Sequence, residues 1–510
     1  MFFRTVFTVA LLLVGSFAWA QVTTATLTGQ ITDKKGESLV GASVVALHTP
    51  SGSKFAGISN ENGNFFVPNL RVGGPYTVTI SFVGYKDFVI NDLSLSLGQK
   101  LPINAALEDA ASQLTEVVVT ATGDAVMNNK RTGAGNNFNA EQIQKLPTIS
   151  RSASDIYRLT PSSDGNSFAG RNGQFNNFSV DGTIFNNPFG LDAATPGGQS
   201  NAQPISLDAI EQIQVAIAPY DVTQAGFTGA AVNTVTKSGT NQFKGTVFGF
   251  NRNQNLTGKI VDATEFAVPD LKQTQAGFSL GGPIIKNKAF FFVNFELDRR
   301  TDIGSTFLAS RAGNTGANYS RVEATDLEAV SRALKENFGY ETGAYENYFF
   351  NTNNQKALVK LDFNLFDGTN SSHKLAVSYN YLDAFREQPA HPSALGRRGP
   401  DATTLQFRNS GYRINNVLNS GIAELRSTFG SRVSNKFVVG YSAFRDSRDP
   451  FSEPFPVVSI QREGVRYIVA GHEPFSINNK LNQDVFQIRN DANIYLKKHT
   501  LTIGAALERF

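Results

Sequence analysis

The sequence contains no cysteine among its 510 residues. A chain without cysteine has no disulfide, no thiolate nucleophile and no thiolate metal ligand, and it cannot be anchored by acylation of a cysteine. Four classes of chemistry are therefore excluded before any motif is considered.

Histidine is scarce as well, and its spacing does not suit a metal site. No two of the five histidines have the spacing of ligands on one element. They are His48, His373, His391, His472 and His499. We interpret them as surface or loop residues and expect no metal and no cofactor. The chain also lacks a G-x-S-x-G elbow, a phosphate-binding glycine loop and a histidine-anchored triad, so it does not predict an enzyme.

Neither sign of charge is in excess, because the formal net charge is only +3. No basic field therefore points to nucleic acid as a partner. Tryptophan occurs once, whereas phenylalanine occurs 41 times and tyrosine 14 times. This aromatic balance favours β-structure over helix.

No apolar run is long enough to be a transmembrane helix, which takes about 20 residues. The longest run, Val6–Val14, follows Arg4 and precedes Ala18-Trp19-Ala20. A charged start, a short apolar run and an A-x-A site predict an export signal over residues 1–20, cleaved after Ala20 so that Gln21 begins the mature protein. The alternative, a buried N-terminal helix, does not explain the cleavage site.

Residues 21–110 alternate short strands with glycine-containing turns. Ala25–Ile31, Ala42–Leu47 and Tyr76–Phe82 are predicted strands, and the turn over Asn60–Phe65 leads into another. Many short strands punctuated by glycine predict a β-sandwich.

The same region carries the pattern of a known domain family. The matching residues are Gly29, Asp33, Gly36, Leu39, Gly41, Ala42, Gly63, Phe65, Gly84 and Tyr85. The region resembles the carboxypeptidase regulatory-like domain, a transthyretin-like β-sandwich. With no cluster of zinc ligands present, the resemblance implies a non-catalytic domain that binds a glycan or a partner, or that acts as a spacer.

A β-prone segment, Leu114–Gly123, lies in the linker 111–124 that comes after the sandwich. Such a segment can add a strand to the sheet edge of another protein, although an ordinary buried strand is the alternative. The segment resembles the TonB box of TonB-dependent transporters. The resemblance implies that coupling to TonB is carried by Glu116, Val117, Val118, Val119, Thr120 and Ala121.

Residues 125–242 lack long runs of alternation. Glu141–Lys145 and Ala153–Leu159 are predicted helices, which Pro147 and Pro161 end. We expect an α+β domain here. A soluble mixed domain is the alternative, but it does not explain the strands that come after it.

Three segments of this region carry a more specific pattern: Ser179–Gly182, Asp208–Val215 and Val232–Asn241. They closely resemble the plug of TonB-dependent receptors, in the version of the Oar-like subgroup. SusC-like glycan importers also carry the sandwich domain but differ in the Asp-Gly segment. We predict a substrate-facing plug loop within residues 172–191. Its predicted substrate-binding side chains are Asn172, Phe175, Asn176, Asn177, Asn186 and Asn187.

From residue 243 to residue 510 the period of the apolar residues is two. In Lys356–Leu365, for example, apolar residues at odd positions oppose Lys356, Lys360 and Asp362. Alternation over about ten residues per strand is the pattern of a transmembrane β-barrel. A soluble sandwich also alternates, but repeated lysine and aspartate on one face favour the barrel.

The connections between the strands alternate in length. Nine strands are predicted, near 245–252, 274–284, 288–300, 353–365, 373–384, 418–429, 434–447, 484–496 and 499–508. Three connections are long, spanning about 301–352, 385–417 and 448–483, as in barrels with short periplasmic turns and long extracellular loops. One long loop should hold a helix, with a capping box of Thr325 and Glu328 ahead of an apolar stripe.

Nine is an odd number, whereas single-chain bacterial barrels have an even number of strands and plugged transporters about 22. We therefore expect residues 243–510 to be the N-terminal portion of a barrel that continues beyond Phe510.

The resemblance implies an active importer of the bacterial outer membrane, with its N-terminal domains on the periplasmic side. The implied partners are TonB with its inner-membrane energising complex, outer-membrane lipid and an extracellular substrate. A surface lipoprotein is a further partner suggested by the distant likeness to SusC-like proteins. The alternative function is binding, adhesion or support of secretion without import.

Overall fold

The computed structural model describes residues 22–110, 134–148, 150–165, 167–186, 195–217, 221–224, 226–262, 264–265, 268–314, 316–368, 371–390, 399–496 and 499–510. The predicted export signal with its cleavage site lies outside these residues, and so does the predicted coupling segment Glu116–Ala121. The fold is mainly β, as the sequence predicts.

The first folded unit is a sandwich of two four-stranded sheets, one with β1 between β4 and the short strands β7 and β8, the other in the order β3-β2-β5-β6. Its strands are β1 (Ala25–Asp33), β2 (Ser43–His48), β3 (Ser53–Ile58), β4 (Asn64–Leu70), β5 (Gly73–Ser81), β6 (Phe88–Leu95), β7 (Lys100–Pro102) and β8 (Ala105–Leu107). Alternate residues of each strand point into one apolar core, where Leu27, Phe65 and Tyr76 are fully buried. Each such side chain contributes about 1.5–3 kcal/mol of burial free energy.

The second unit, the plug, is built on a five-stranded sheet of order β11-β10-β13-β12-β9. Its strands are β9 (Ala134–Asn139), β10 (Asn177–Val180), β11 (Thr183–Ile184), β12 (Ile210–Ile217) and β13 (Ala230–Thr236). Most residues of β10, β12 and β13 are buried, so these three strands form the centre of the plug.

Two short helices of the plug begin and end as their sequences dictate. Helix α1 (Ala140–Lys145) and helix α2 (Ala153–Tyr157) each start with a capping box, formed by Asn139 with Gln142 and by Ser152 with Asp155. Helix α1 ends before Pro147, since the residue preceding a proline disfavours helical backbone. Helix α2 ends two residues earlier than predicted.

The remainder of the described chain is dominated by long antiparallel strands. In chain order the strands are β14 (Lys244–Asn253), β15 (Ile260–Val261), β16 (Thr264–Glu265), β17 (Leu271–Ile285), β18 (Ala289–Ile303), β19 (Leu308–Ser310), β20 (Tyr319–Glu323), β21 (Phe349–Asp367), β22 (Ser371–Gln388), β23 (Leu405–Gln406), β24 (Tyr412–Phe429), β25 (Val433–Pro450), β26 (Val458–Arg462), β27 (Val465–Ala470), β28 (Lys480–Tyr495) and β29 (Thr500–Arg509).

Nine of these strands form one curved sheet, which we call the wall. Its order is β14-β17-β18-β21-β22-β24-β25-β28-β29, and every strand pairs antiparallel with its neighbour in the sheet. These are the nine strands that the sequence predicts, and they are mostly longer at both ends. Strands β21, β22, β24 and β25 have 18 or 19 residues, whereas about 9–11 cross a hydrocarbon layer.

The two faces of the wall differ as the alternation predicts. On β21 the inner residues Lys356, Lys360 and Asp362 are each less than 8% exposed. The outer residues Val359 and Leu365 are 42% and 57% exposed. The polar face therefore packs against the plug, and the apolar face points away from the protein.

The short connections of the wall lie at one end, and the long ones fold at the other. Helix α3 (Ala324–Phe338) lies in one long connection, but the predicted capping box is wrong. The helix begins before Thr325, and its N-cap Glu323 makes no side-chain cap bond. The first turn is fixed instead by packing, because Leu327 is fully buried. No helix in the described part of the chain is both long and apolar enough to cross a bilayer.

The interpretation of the histidines as surface or loop residues is wrong for His48, which lies buried in β2 of the sandwich. The side chain of His48 is 5% exposed, its Nδ1 lies 2.7 Å from Oγ of Ser51, and its ring packs on Tyr76 at 5.0 Å between centroids. Burial, assisted by the positive charge of Arg71, lowers the pKa of His48 from 6.5 to about 3. His48 is therefore neutral in the folded sandwich.

The sandwich should lose stability as the pH falls below 6.5, the ordinary pKa of histidine. Below that pH, His48 is protonated in the unfolded chain but stays neutral in the folded chain. The free energy of unfolding therefore falls by at most about 1.4 kcal/mol per pH unit, down to about pH 3. Hydrogen–deuterium exchange of the β2 and β5 amides, corrected for intrinsic rates, measures this loss at neutral and mildly acidic pH.

The substitution His48→Phe keeps a buried ring but removes the titration, so it should flatten this pH dependence. The matched control His499→Gln, at an exposed position, should leave the dependence unchanged. An unaltered slope in the His48→Phe chain would contradict the assignment.

Candidate functional site

The plug lies against the inner face of the wall and shares an apolar core with it. Plug residues Phe178, Val180 and Ile213 belong to the same buried cluster as wall residues Leu358 and Leu418. Around this shared core, polar side chains of the plug reach specific groups of the wall.

The first polar anchor is Asp181, in the turn between β10 and β11. Asp181 and Gly182 have φ values of 45° and 85°, which is the conformation of a type I′ turn and explains the Asp-Gly pair. The buried carboxylate accepts hydrogen bonds from the backbone N–H and the hydroxyl of Thr236 on β13. It also accepts from Nζ of the wall residue Lys360, at 3.3 Å.

The second anchor joins the plug to a buried ion pair of the wall. Glu296 and Lys356 face each other on β18 and β21, with Nζ 3.0 Å from Oε1. The hydroxyl of Ser206 in the plug donates to the other carboxylate oxygen at 2.5 Å. Both charged residues are at most 5% exposed, so the pair is held in a region from which water is excluded.

A third anchor lies two residues further along the plug. Asp208 accepts a hydrogen bond from the hydroxyl of Thr246 on β14 at 2.6 Å and pairs with Lys237 at 3.6 Å. At the other side of the plug, Gln487 of β28 donates to and accepts from the backbone of Ile184. Hydrogen bonds thus fix the plug to β14 on one side and to β28 on the other.

The sequence did not identify these anchors, although it contained part of the signal. In the sequence, the residues around Asp181 and Asp208 match family patterns without showing what they bind, and Lys356 and Lys360 show only as charges on the inner face. Which lysine meets which carboxylate depends on how the plug sits within the wall, and alternation does not specify that.

The predicted substrate-binding side chains are only partly assembled. Asn172 and Phe175 are exposed, with Phe175 at 52%. Asn176 is buried and accepts from the backbone of Ala230, while Asn186 donates to Asn177 and accepts from the backbone of Phe178. These three asparagines therefore support the plug's own fold. Asn187 lies outside the described residues, and substrate binding by this group stays a prediction.

The long connections form a second feature, the outer cap, which comprises the described residues of 304–348, 399–411 and 451–479. Three connections share one apolar core that includes Leu327, Leu405 and Ile468. Strands β23 and β27, from different connections, pair in parallel. The guanidinium of Arg321 donates to three backbone carbonyls, one in the second connection and two in the third. The cap is therefore one folded body.

At the opposite end, the sandwich packs against both the plug and the wall. The amide of Gln212 on β12 accepts from the N–H of Leu97 at 2.7 Å and donates to the carbonyl of Leu95 at 3.1 Å. Toward the wall, the hydroxyl of Thr23 donates to the buried carboxylate of Glu424 at 2.9 Å, and Phe66 stacks on Tyr495. Such bonds contribute about 0.5–1.5 kcal/mol each when formed.

A chamber of about 700 Å³ lies where the sandwich, plug and wall meet. The sandwich contributes Thr23 and Arg71 to its lining, the plug contributes Glu211, and the wall contributes Lys360 and Arg426. Burial raises the pKa of the Glu211 carboxyl, opposed by the nearby charges of Lys237 and Arg71. Among the residues that the structure describes, no group of three or more potential ligands could hold a metal ion.

Comparisons with known proteins agree with this architecture. The family model described as "Outer membrane beta barrel domain" matches residues 235–510, and the model described as "Carboxypeptidase regulatory-like domain" matches residues 26–108. The "TonB-dependent transporter Oar" of Myxococcus xanthus is 27% identical over 305 residues, covering 56% of this chain and 27% of that protein.

Two solved structures are similar at low sequence identity. The outer membrane transporter YddB from Escherichia coli is 12% identical with a TM-score of 0.49, covering 73% of this chain and 48% of that one. The ferripyoverdine receptor of the Pseudomonas aeruginosa outer membrane is 12% identical with a TM-score of 0.41, covering 79% and 56%. The chain thus spans about a quarter of the Oar sequence and about half of these structures.

The barrel family model covers more than half of this chain. The chain therefore belongs to the outer membrane beta barrel domain family, carries a carboxypeptidase regulatory-like domain and is located in the outer membrane.

Proposed function

We propose that this protein is a TonB-dependent importer, which binds an extracellular substrate and moves it past the plug into the periplasm. The observation that carries the proposal is a folded plug fixed to the polar inner face of the wall by Asp181, Ser206 and Asp208. A plug held in this way blocks free diffusion, so passage requires that work be done on it. The similarity to Oar, whose name describes a TonB-dependent transporter, supports the proposal.

In this mechanism the work is delivered through the segment Glu116–Ala121. In the chain this segment lies between β8 of the sandwich and β9 of the plug. Its run of valines suits addition of a strand to a sheet edge of TonB, in which backbone hydrogen bonds supply the affinity. Force applied to the segment then acts on the plug through the chain itself.

The outer cap is the proposed first contact for the substrate. Its three connections are already folded together by a common core and by the bonds of Arg321. A preformed surface loses less conformational entropy on binding than separate mobile loops. The exposed plug residues Asn172 and Phe175 are the proposed second contact.

The preformed cap also favours a second candidate function, binding or adhesion at the cell surface without import. Deleting TonB separates the two, because import requires TonB and adhesion does not.

Proline in the coupling segment should weaken binding to TonB. Neighbouring N–H groups of a strand point to opposite edges, so at least one of Val118→Pro and Val119→Pro removes a donor that the added strand uses. We expect binding of the purified TonB C-terminal domain to weaken at least about tenfold, the loss of roughly 1.4 kcal/mol. Val118→Thr and Val119→Thr keep the N–H and the branched shape, and both should bind normally. Normal binding by both proline variants would refute the coupling role.

Removing the cation of the first plug anchor should loosen the plug. The substitution Lys360→Met leaves the buried Asp181 carboxylate without its ion pair, and breaking such a pair costs about 3–5 kcal/mol, less here because Thr236 still donates to Asp181. We expect greater sensitivity of the cells to a glycopeptide antibiotic that is too large for ordinary porins.

Two further variants test that explanation. Adding Asp181→Asn to Lys360→Met removes the unpaired charge and should restore part of the barrier. The exposed lysine variant Lys286→Met should leave antibiotic sensitivity unchanged. An intact barrier in the Lys360→Met cells would show that this ion pair does not secure the plug.

A further inference from the structure

We propose that the sandwich is an inner gate, which closes the periplasmic end of the import route and must leave its docking site for substrate to pass. This inference rests on the proposed import function and adds a second barrier behind the plug. Its starting point is the chamber, which is lined by three separately folded parts of the chain rather than by the plug and wall alone.

The sandwich forms one side of the chamber. Its residues Thr23, His48, Pro50, Arg71 and Val72 belong to the lining. The opposite sides are formed by the end of the plug and by the inner face of the wall. Substrate that passes between plug and wall therefore enters a space that the sandwich borders on one side.

The sandwich is held to several wall strands at once. Its bonds to the wall are Thr23 to Glu424 on β24, Asn364 on β21 to Ser53 at 2.9 Å, and Asn69 to the carbonyl of Ser427 on β24 at 3.2 Å. The ring of Phe66 stacks on Tyr495 at the end of β28, with centroids 4.8 Å apart. Contacts spread over three strands fix the position of the sandwich across the end of the wall.

The docking surface is also matched closely in shape. Gly52 of the sandwich has a φ of 65°, and a Cβ there would lie 2.1 Å from Oδ1 of Asn287 in a wall turn. Gly73 has a φ of 86°, and a Cβ there would lie 2.7 Å from Oε1 of Glu211 in the plug. At Gly36, a positive-φ turn elsewhere on the sandwich, an added Cβ would meet nothing. Gly52 and Gly73 therefore let the sandwich approach the wall and the plug closely at its docking side.

The gate is linked to the plug by bonds that a moving plug would break. Gln212 and Gln214 of β12 both bond to the backbone of the sandwich, at Leu95 and Leu97. A shift of β12 along its axis removes these directional bonds together. Because the bonds are polar and lie between folded units, their loss leaves the apolar core of the sandwich intact.

Because the chain lacks cysteine, one introduced pair can lock the gate. The experiment introduces Ser53→Cys with Asn364→Cys and joins the two thiols with a short, reducible bis-thiosulfonate reagent. The control pair, Thr77→Cys with Asn91→Cys, replaces a comparable contact of 3.2 Å that lies wholly within the sandwich. Both chains are expressed in cells that lack the natural gene.

Import is measured without knowing the substrate. Mass spectrometry of conditioned medium identifies the compounds that cells with the natural gene deplete and that cells lacking TonB do not. For each cysteine variant, the rate of depletion is measured with the cysteine pair reduced and again with it cross-linked. Any effect of the substitutions themselves is present in both measurements and cancels in the comparison.

The gate predicts at least a tenfold slower depletion when the Ser53–Asn364 pair is cross-linked, recovery after reduction, and no effect of cross-linking the control pair. Equal depletion by the locked and reduced chains would overturn the gate while leaving import intact. Failure of the pair to cross-link in the membrane would also overturn it, because the docked contact would then be absent. If no compound is depleted in a TonB-dependent way, the import function fails, and the gate fails with it.

Discussion

The wall depends on one constraint, which is that hydrocarbon offers no partner to a backbone N–H or carbonyl group. An unpaired group there costs several kcal/mol, so only structures that satisfy the backbone internally can cross. The continuous antiparallel pairing from β17 to β28 meets this demand. Once the backbone is paired in this way, side chains can only alternate between the two faces, and this alternation determines the chemistry of each face.

The polar inner face creates a second requirement, which the plug fulfils. Lys356, Lys360 and Glu296 are charged groups that the plug covers, and each has a partner of opposite charge. Buried ion pairs add little net stability compared with apolar packing, but an unpaired buried charge is very unfavourable. Their effect is therefore to exclude other positions of the plug. Apolar contacts such as Phe178 and Leu358 hold the plug in the wall, and the ion pairs determine where it sits.

Local rules of sequence predict the elements of this fold, but they miss features that depend on the relation between units. Alternation predicted all nine wall strands, and the prolines after α1 and α2 predicted helices close to the observed ones. The start of α3 was missed because burial of Leu327, rather than a cap, fixes its first turn. The pairing of Asp181 with Lys360 joins residues 179 positions apart, and no periodicity encodes it.

The asparagine-rich plug loop is a second case in which the sequence does not specify the contacts of individual side chains. Asparagine suits both ligand binding and turn formation, and composition alone does not separate the two. In the structure Asn176 and Asn186 bond to the plug backbone, whereas Asn172 remains exposed. The sequence pattern therefore indicates a polar loop, but the surroundings of each asparagine determine whether its side chain bonds to the plug or stays exposed.

The three folded units differ in how their cores are shared, and this sets the order in which they can separate. The core of the sandwich lies entirely within residues 25–107, so the sandwich can leave its docking site as a body and expose a small apolar cluster, in which Val72 and Leu97 pack against Val235 of the plug. The core of the plug includes wall residues such as Leu382 and Val438, so displacing the plug opens an apolar cavity as well as breaking the ion pairs. Polar contacts between units are also the easiest to replace with water. When force reaches the linker between sandwich and plug, the docking contacts of the sandwich are therefore the weaker of the two interfaces, and an initial displacement of the plug should break them before the apolar core that plug and wall share opens.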